Sequence, residues 1–269
     1  MKFELENSLF RIRSLRFLRN MLNSEFTVII LAAGKGKRMG GDLPKVLRTV
    51  KGRPIISCLV DSVKKSGLVK KPVVVVCNEH NLVQETLGES CDYAVQSEQL
   101  GTGHAVAAAK SHFENKTKKI IVLYGDMPLI APETVAKLAT FKEEDSSVLT
   151  LFTTAVKDFE DWRKSFYNFG RIIRDDAGEI IAIREKKDCS PQELEIKEVN
   201  PGLYIFDGRW LCQNLGKLDN KNVQGEYYLT DLVKLAMEQG HKINSIKIDS
   251  KECVGINTPE ELLLAESLL

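Results

Sequence analysis

The apolar run Phe26-Thr-Val-Ile-Ile-Leu31 passes directly into Ala32-Ala-Gly-Lys-Gly-Lys-Arg-Met39, and this junction constrains the fold more than any other stretch of the chain. An unbroken apolar segment of this length reads as a strand buried on both faces, as found inside parallel sheets. A strand that delivers its chain into a glycine-rich turn presents bare backbone N–H groups, which suit a polyanion. Arg38 and Lys45 then place fixed positive charge just beyond the turn. The spacing of Gly34, Gly36 and Gly40 is not Gly-x-Gly-x-x-Gly, and no Gly-Lys-Ser/Thr follows. Glycine also gathers in tight turns for conformational reasons alone; the neighbouring cations are what favour phosphate handling.

Similar alternation continues along the chain. Pro54 to Ser66 carries Ile55, Ile56, Leu59, Val60 and Val63 at helical spacing, and Pro72 to Cys77 is a second apolar strand. Asn81 to Leu87 reads as a short helix, Ala94-Val95 as a brief strand, Gly103 to Phe113 as a helix and Ile120 to Tyr124 as a third strand. Strands alternating with helices at this spacing predict a mostly parallel α/β sheet with right-handed crossovers. Beyond residue 147 the texture changes: Val148 to Thr154, Gly170 to Arg174, Ile180 to Arg184 and Gly202 to Phe206 read as strands joined by turns, an antiparallel lobe over the sheet edge. Tyr228 to Gln239 reads as a helix, Ile243 to Ile248 as a strand and Pro259 to Leu268 as a last helix.

Composition narrows the classes. The chain of 269 residues is 43% hydrophobic and 28% charged with a net charge of +1, which gives no case for nucleic acid as the main partner. No apolar run reaches the roughly 18 residues of a membrane span. Six cysteines lie scattered without Cys-x-x-Cys pairs, and four histidines are as dispersed, so neither set has the spacing of a zinc site. The thiols read as inert groups of a reducing, cytoplasmic setting. Residues 1–24 contain the basic amphipathic segment Phe10 to Arg19, which resembles a transit peptide or membrane-surface helix; Glu4 and Glu6 count against the first. With Met21 just ahead of the first strand, a dispensable extension is the expectation.

Two further blocks carry chemistry. Asp126 closes Val122-Leu-Tyr-Gly-Asp126 at the carboxyl end of a central strand, where open α/β sheets place ligands. It fits either a turn cap or an oxygen ligand for Mg²⁺ brought in with phosphates. Gln96-Ser-Glu-Gln-Leu-Gly-Thr-Gly-His104 offers amides and a hydroxyl that could read a nucleobase edge, though such residues in a loop are often merely solvated. His104 reads as a helix-start or packing residue.

Together these stretches resemble the uridylyltransferase domain of the bacterial N-acetylglucosamine-1-phosphate uridylyltransferases. The resemblance runs from about residue 26 to the end, through Leu31 to Met39, Asp42 to Leu47, Gln96 to Val106, Leu123 to Asp126, Phe169 to Ile172, Glu185 to Asp188, Asn222 to Asp231 and Gly255 to Asn257. The first motif is shared by many nucleotidyltransferases, whereas the Gln96 and Gln224-Gly-Glu-Tyr-Tyr228 blocks are far more specific.

The resemblance implies a Rossmann-like mixed, mostly parallel sheet of the sugar nucleotidyltransferase type with a smaller antiparallel sugar-binding lobe. It implies a nucleotide-binding part at about 25–146, a sugar-binding part at about 147–256 and a C-terminal helix at 257–269. Leu31, Ala33, Gly34, Gln96, Gln99, Gly101 and Thr102 would surround the nucleotide. Arg38 and Lys45 would face phosphates, Gly170, Glu185, Asn200 and Thr230 would contact the sugar, and Asp126 and Asn257 would hold Mg²⁺. The implied partners are UTP and a sugar 1-phosphate, with N-acetylglucosamine 1-phosphate first. No hexapeptide repeats are present, so the β-helix acetyltransferase domain and its trimer interface are not expected in this chain. Pro201 follows Asn200 where the family commonly has Thr, and Lys37 stands where Thr is usual. The first lies in the implied sugar pocket and leaves another hexosamine or hexose phosphate open as the substrate. A cytidylyl- or guanylyltransferase would share the Leu31 to Lys45 motif, but the Gln96 to Thr102 block argues against it; a non-catalytic sugar-nucleotide-binding protein is the last alternative.

Overall fold

A computed structural model describes residues 25–34, 36, 39–40, 43–79, 81–137, 147–222 and 224–269. The basic N-terminal extension and Arg38 lie outside the described residues. The expected first strand forms as β1 (Phe26–Leu31), buried along nearly all its length. A two-residue hairpin follows, β2 (Thr49–Val50) with β3 (Arg53–Pro54). Next come β4 (Val73–Cys77), β5 (Asp92–Gln96) and β6 (Lys119–Tyr124), all parallel to β1 in the order β5-β4-β1-β6.

The parallel sheet needs cover on both faces, and its side chains divide accordingly. Val28, Ile30, Val74 and Val76 face the helix Ile55–Ser66 through Ile56, Leu59, Val60 and Val63. On the opposite face, Ile29, Val73 and Val75 meet Ala105, Val106, Ala109 and Phe113. Ile55–Ser66 stops at Gly67, whose φ of 79° closes the helix in the left-handed region that a glycine adopts without penalty. The expected helix over 103–113 is two, Thr102–Ala108 and Lys110–Phe113. At Ala109 the N–H turns to Val106 O, a tighter contact that interrupts the α register.

The remaining strands are β7 (Leu149–Ala155), β8 (Gly170–Arg174), β9 (Ile180–Arg184), β10 (Glu198–Asn200), β11 (Tyr204–Asp207) and β12 (Ile243–Lys247). They extend the same sheet in the order β6-β11-β7-β10-β8-β9, mostly antiparallel, with β12 parallel on the other edge of β7. The antiparallel part is thus continuous with the parallel one. Strand β10 escaped the sequence reading because its surroundings, Glu195-Ile-Lys-Glu-Val-Asn200, lack an apolar run. The helix Gly208–Asn214 escaped it too; Asp207 caps it by accepting from Trp210 N–H at 2.8 Å.

One irregularity opens the cleft. Between the pairs Val199↔Thr154 and Tyr204↔Leu151 the chain advances five residues while β7 advances three. Pro201 and Gly202 are the surplus, a bulge where proline's missing N–H leaves no ladder bond unmade. At this bulge the outer neighbour changes: Asn200 pairs with Gly170 of β8, and Tyr204 with Val122 of β6. The sheet therefore splits between the end of β6 and the start of β8.

Candidate active site

Two backbone contacts bring the loops at this split together. Gly125 N–H donates to Leu31 O at 2.9 Å, tying the ends of β6 and β1, and Ile256 N–H donates to Asp126 O at 2.9 Å. Gly125 is required there, since a Cβ would lie 2.9 Å from Leu31 O. Asn257 is fixed from the other side. Its N–H and that of Thr258 donate to the Glu261 carboxylate at 2.6 and 3.1 Å, within a capping box that starts the helix Pro259–Leu268.

Lys45 stands between the two expected metal ligands. Its Nζ lies 2.5 Å from Asp126 Oδ2 and 2.7 Å from Asn257 Oδ1. Asp126 Oδ1 is buried without a hydrogen-bond partner among the described residues. An acceptor so placed fits a cation beyond the ammonium, since an unpaired buried carboxylate oxygen is costly. Among the described residues no group of three or more His, Cys, Asp or Glu gathers around a point. One carboxylate and one amide oxygen suit Mg²⁺, which keeps waters and substrate phosphates as its other ligands.

Two cavities meet at this point. One, of about 310 Å³, is lined by Leu31, Ala33 and Gly34 from the end of β1, by Lys45, and by Gln96, Gln99, Gly101 and Thr102. The other, of about 270 Å³, is lined by Gly170, Glu185, Asn200 and Thr230 together with Asn257. Tyr124 and Asp126 line both. Every described residue assigned to nucleotide, sugar or metal thus lines one of two adjoining cavities. Of the residues given those roles, Arg38 alone lies outside the described ones.

The loop that walls the first cavity is held by its own polar groups. Gln96 Nε2 donates to Gly101 O at 3.1 Å and lies 3.1 Å from His104 Nδ1, so both side chains shape the loop. Thr102 Oγ1 accepts from Leu229 N–H at 3.0 Å, and Thr102 lines the cavity beside Tyr124. Tyr227 exchanges backbone hydrogen bonds with Leu100 and Gly103, both at 2.8 Å. These contacts explain why the helix expected from Tyr228 begins only at Asp231: the preceding backbone is committed to the 100–103 loop.

In the second cavity Glu185 is the notable acid. Burial pushes its carboxyl above the usual range, the Asp188 and Asp231 charges add to this, and a hydrogen bond from Thr230 opposes it. The folded carboxyl therefore titrates above its unfolded counterpart. Its contribution to stability is present below the ordinary carboxylate range and is lost as pH rises through the folded value. Glu185→Gln is expected to gain stability relative to the parent at about pH 7.5 and not at about pH 4. Calorimetric melting at the two pH values checks this; equal shifts at both would contradict it. Nearby, the fully buried Arg171 donates to Phe169 O and, at 3.1 Å, to Tyr167 O, and lies 4.8 Å from the Phe159 ring centroid. It pins the loop that supplies Asn168 and Phe169 to the cavity.

The sequence reading missed Tyr124, the shared wall, although Leu123 to Asp126 was quoted as one motif. Glu226 on the first cavity and Tyr204 on the second were missed as well. Tyr204 carried no signal, since a tyrosine inside a strand reads as core.

The chain is similar to several known proteins. Residues 28–163 match the model of the MobA-like NTP transferase domain. The chain is 40% identical over 243 residues to the bifunctional protein GlmU of Clostridium novyi, covering 90% of this chain and 52% of that protein. It is 40% identical over 234 residues to its counterpart in Clostridium acetobutylicum, covering 87% and 50%. The chain thus spans about half the length of the curated relatives it matches. A solved structure from Bacillus anthracis, described as a glucose-1-phosphate thymidylyltransferase in complex with a sucrose, superposes with a TM-score of 0.68 at 21% identity, covering 90% of this chain and 94% of that one. At that identity the likeness speaks for the fold.

Proposed function

Because the chain belongs to the MobA-like NTP transferase domain family and is an enzyme of the nucleotidyltransferase type, we propose that it transfers UMP from UTP to N-acetylglucosamine 1-phosphate, yielding UDP-N-acetylglucosamine and pyrophosphate. The observation that carries this reading is the meeting of two cavities at Lys45, Asp126 and Asn257. A donor nucleotide in one cavity and a sugar phosphate in the other would present their phosphates to each other at that point. The identity to GlmU proteins over 90% of the chain supports the choice of uridine and of N-acetylglucosamine.

In the proposed reaction a phosphate oxygen of the sugar 1-phosphate attacks the α-phosphorus of UTP. The new O–P bond forms as the bond to the bridging oxygen breaks, and the electron pair leaves with pyrophosphate. Phosphate is already ionised near neutral pH, so no side-chain base is needed. Catalysis then rests on alignment and charge neutralisation. Lys45 supplies an ammonium at the junction, with Arg38 assigned to the same role, and backbone N–H groups of the Leu31–Gly34 segment serve the phosphates. Gln96, Gln99, Gly101 and Thr102 hold the base and ribose, and Gly170, Glu185, Asn200 and Thr230 hold the sugar. Asp126 and Asn257 would hold Mg²⁺, which neutralises charge building on the phosphate oxygens.

A second reading keeps the chemistry and changes the sugar; Pro201, inside the second cavity, motivates it. Among the described residues no helix is long and apolar enough to cross a membrane. We assign the reaction to the cytoplasm, where both substrates occur. Mass spectrometry of the product with Mg²⁺, N-acetylglucosamine 1-phosphate and UTP, CTP, GTP or dTTP in turn tests the reading. UTP is expected to be preferred by at least about 10²-fold in kcat/KM; equal use of another nucleotide would overturn the uridylyl assignment.

A further inference from the structure

We propose that Tyr204 is a positioning residue that fixes the Asn200 carboxamide so that it offers the sugar an N–H and not a carbonyl. This rests on the sugar phosphate binding in the second cavity. Gly202 N–H can only donate, so the Asn200 atom 3.0 Å from it is Oδ1. The other end of the carboxamide, Nδ2, then lies 2.7 Å from the Tyr204 hydroxyl, to which it donates. Turning the group over would set an NH₂ against a backbone N–H and leave a buried donor unsatisfied.

The turn that makes this contact is rigid for reasons visible in the chain. Pro201 has a fixed φ and no N–H, so it adds no competing donor between Asn200 and Gly202. Gly202 has a φ of 84° and lies against the Tyr124 ring, where a Cβ would overlap the ring carbons. Tyr204 itself is wholly buried, and its strand is paired on both edges, to Val122 and to Leu151. Its hydroxyl titrates well above the ordinary phenol value because of that burial, so it stays protonated.

Asn200 is 7% exposed and lines the cavity. Of its two N–H groups one is spent on Tyr204, leaving one for a ligand. That N–H selects an acceptor on the sugar, a hydroxyl oxygen or an acyl carbonyl. Pro201 accordingly preorganises the pocket and does not disable it.

Tyr204→Phe removes only the oxygen that holds Nδ2. It is expected to raise KM for the sugar phosphate about five-fold with kcat and KM for UTP nearly unchanged. In the Asn200→Ala background the same change should add nothing. Pro201→Ala, which loosens the turn from its other end, should also raise the sugar KM selectively and keeps the test open if Tyr204→Phe folds poorly. Equal changes in both KM values, an unchanged sugar KM, or additivity with Asn200→Ala would overturn the proposal. Crystal structures separate it from the functional reading. If the parent turns over none of the sugar phosphates, that reading fails, while an Asn200 carboxamide lying identically in parent and Tyr204→Phe refutes the positioning role by itself.

Discussion

Asp126→Asn is expected to lower kcat/KM by about 10³-fold or more while leaving the protein folded. The carboxylate has one oxygen 2.5 Å from the Lys45 ammonium and the other buried, with no partner among the described residues. An amide removes the charge that faces Lys45 and the oxygen available to a metal. Losing several kcal/mol of charge stabilisation corresponds to about a thousand-fold in rate. The fold should survive because the structural contact here is made by the backbone: Asp126 O accepts from Ile256 N–H whatever the side chain. Direct titration with Mn²⁺, read by its electron paramagnetic resonance signal, should show weakened binding together with the lost turnover. An unchanged metal affinity would remove Asp126 from the metal site.

Gly101→Ala is expected to be the most damaging single-methyl substitution around the nucleotide cavity. Gly101 has φ 108° and ψ 176°, a region almost reserved for glycine. A Cβ there would lie 2.6 Å from Tyr227 O and 2.8 Å from Tyr227 N. Both are backbone atoms, and they make two of the hydrogen bonds that dock residues 226–229 on the 100–103 loop. Neither can yield without breaking that pairing. Strain and overlap together cost about 2–4 kcal/mol, a fall in Tm on the order of 10 °C. KM for UTP should rise well before KM for the sugar phosphate. A melting temperature within a degree of the parent would show that the loop yields where its geometry says it cannot.

How much of this was legible in the sequence depended on how local the cause was. The strand Phe26–Leu31 and the helix Ile55–Ser66 follow from periodicity within one segment, and their bounds agree with expectation to a residue. The capping box at Thr258 and Glu261 closes locally too, and the helix Pro259–Leu268 formed as read. Where a distant partner decides, the reading fell short. Tyr228 to Thr230 has helical apolar spacing but is drawn into a turn by Thr102 and the 100–103 backbone. The sheet split at Pro201 and Gly202 depends on register between strands, which single-segment patterns do not carry. The candidate site behaves in the same way. Lys45 and Asp126 were visible as charge beside a strand end, whereas Asn200 and Asn257 came only through family resemblance. Tyr124 and Tyr204 needed the fold to place them.

The most direct test of the whole account is pyrophosphate release with UTP and Mg²⁺, comparing N-acetylglucosamine, glucosamine and glucose 1-phosphates under saturating nucleotide. Turnover is expected with N-acetylglucosamine 1-phosphate in clear preference to the other two sugars, Pro201 notwithstanding. Release with glucosamine or glucose 1-phosphate in its place would contradict the assigned substrate, and no release with any of the three would contradict the assigned reaction.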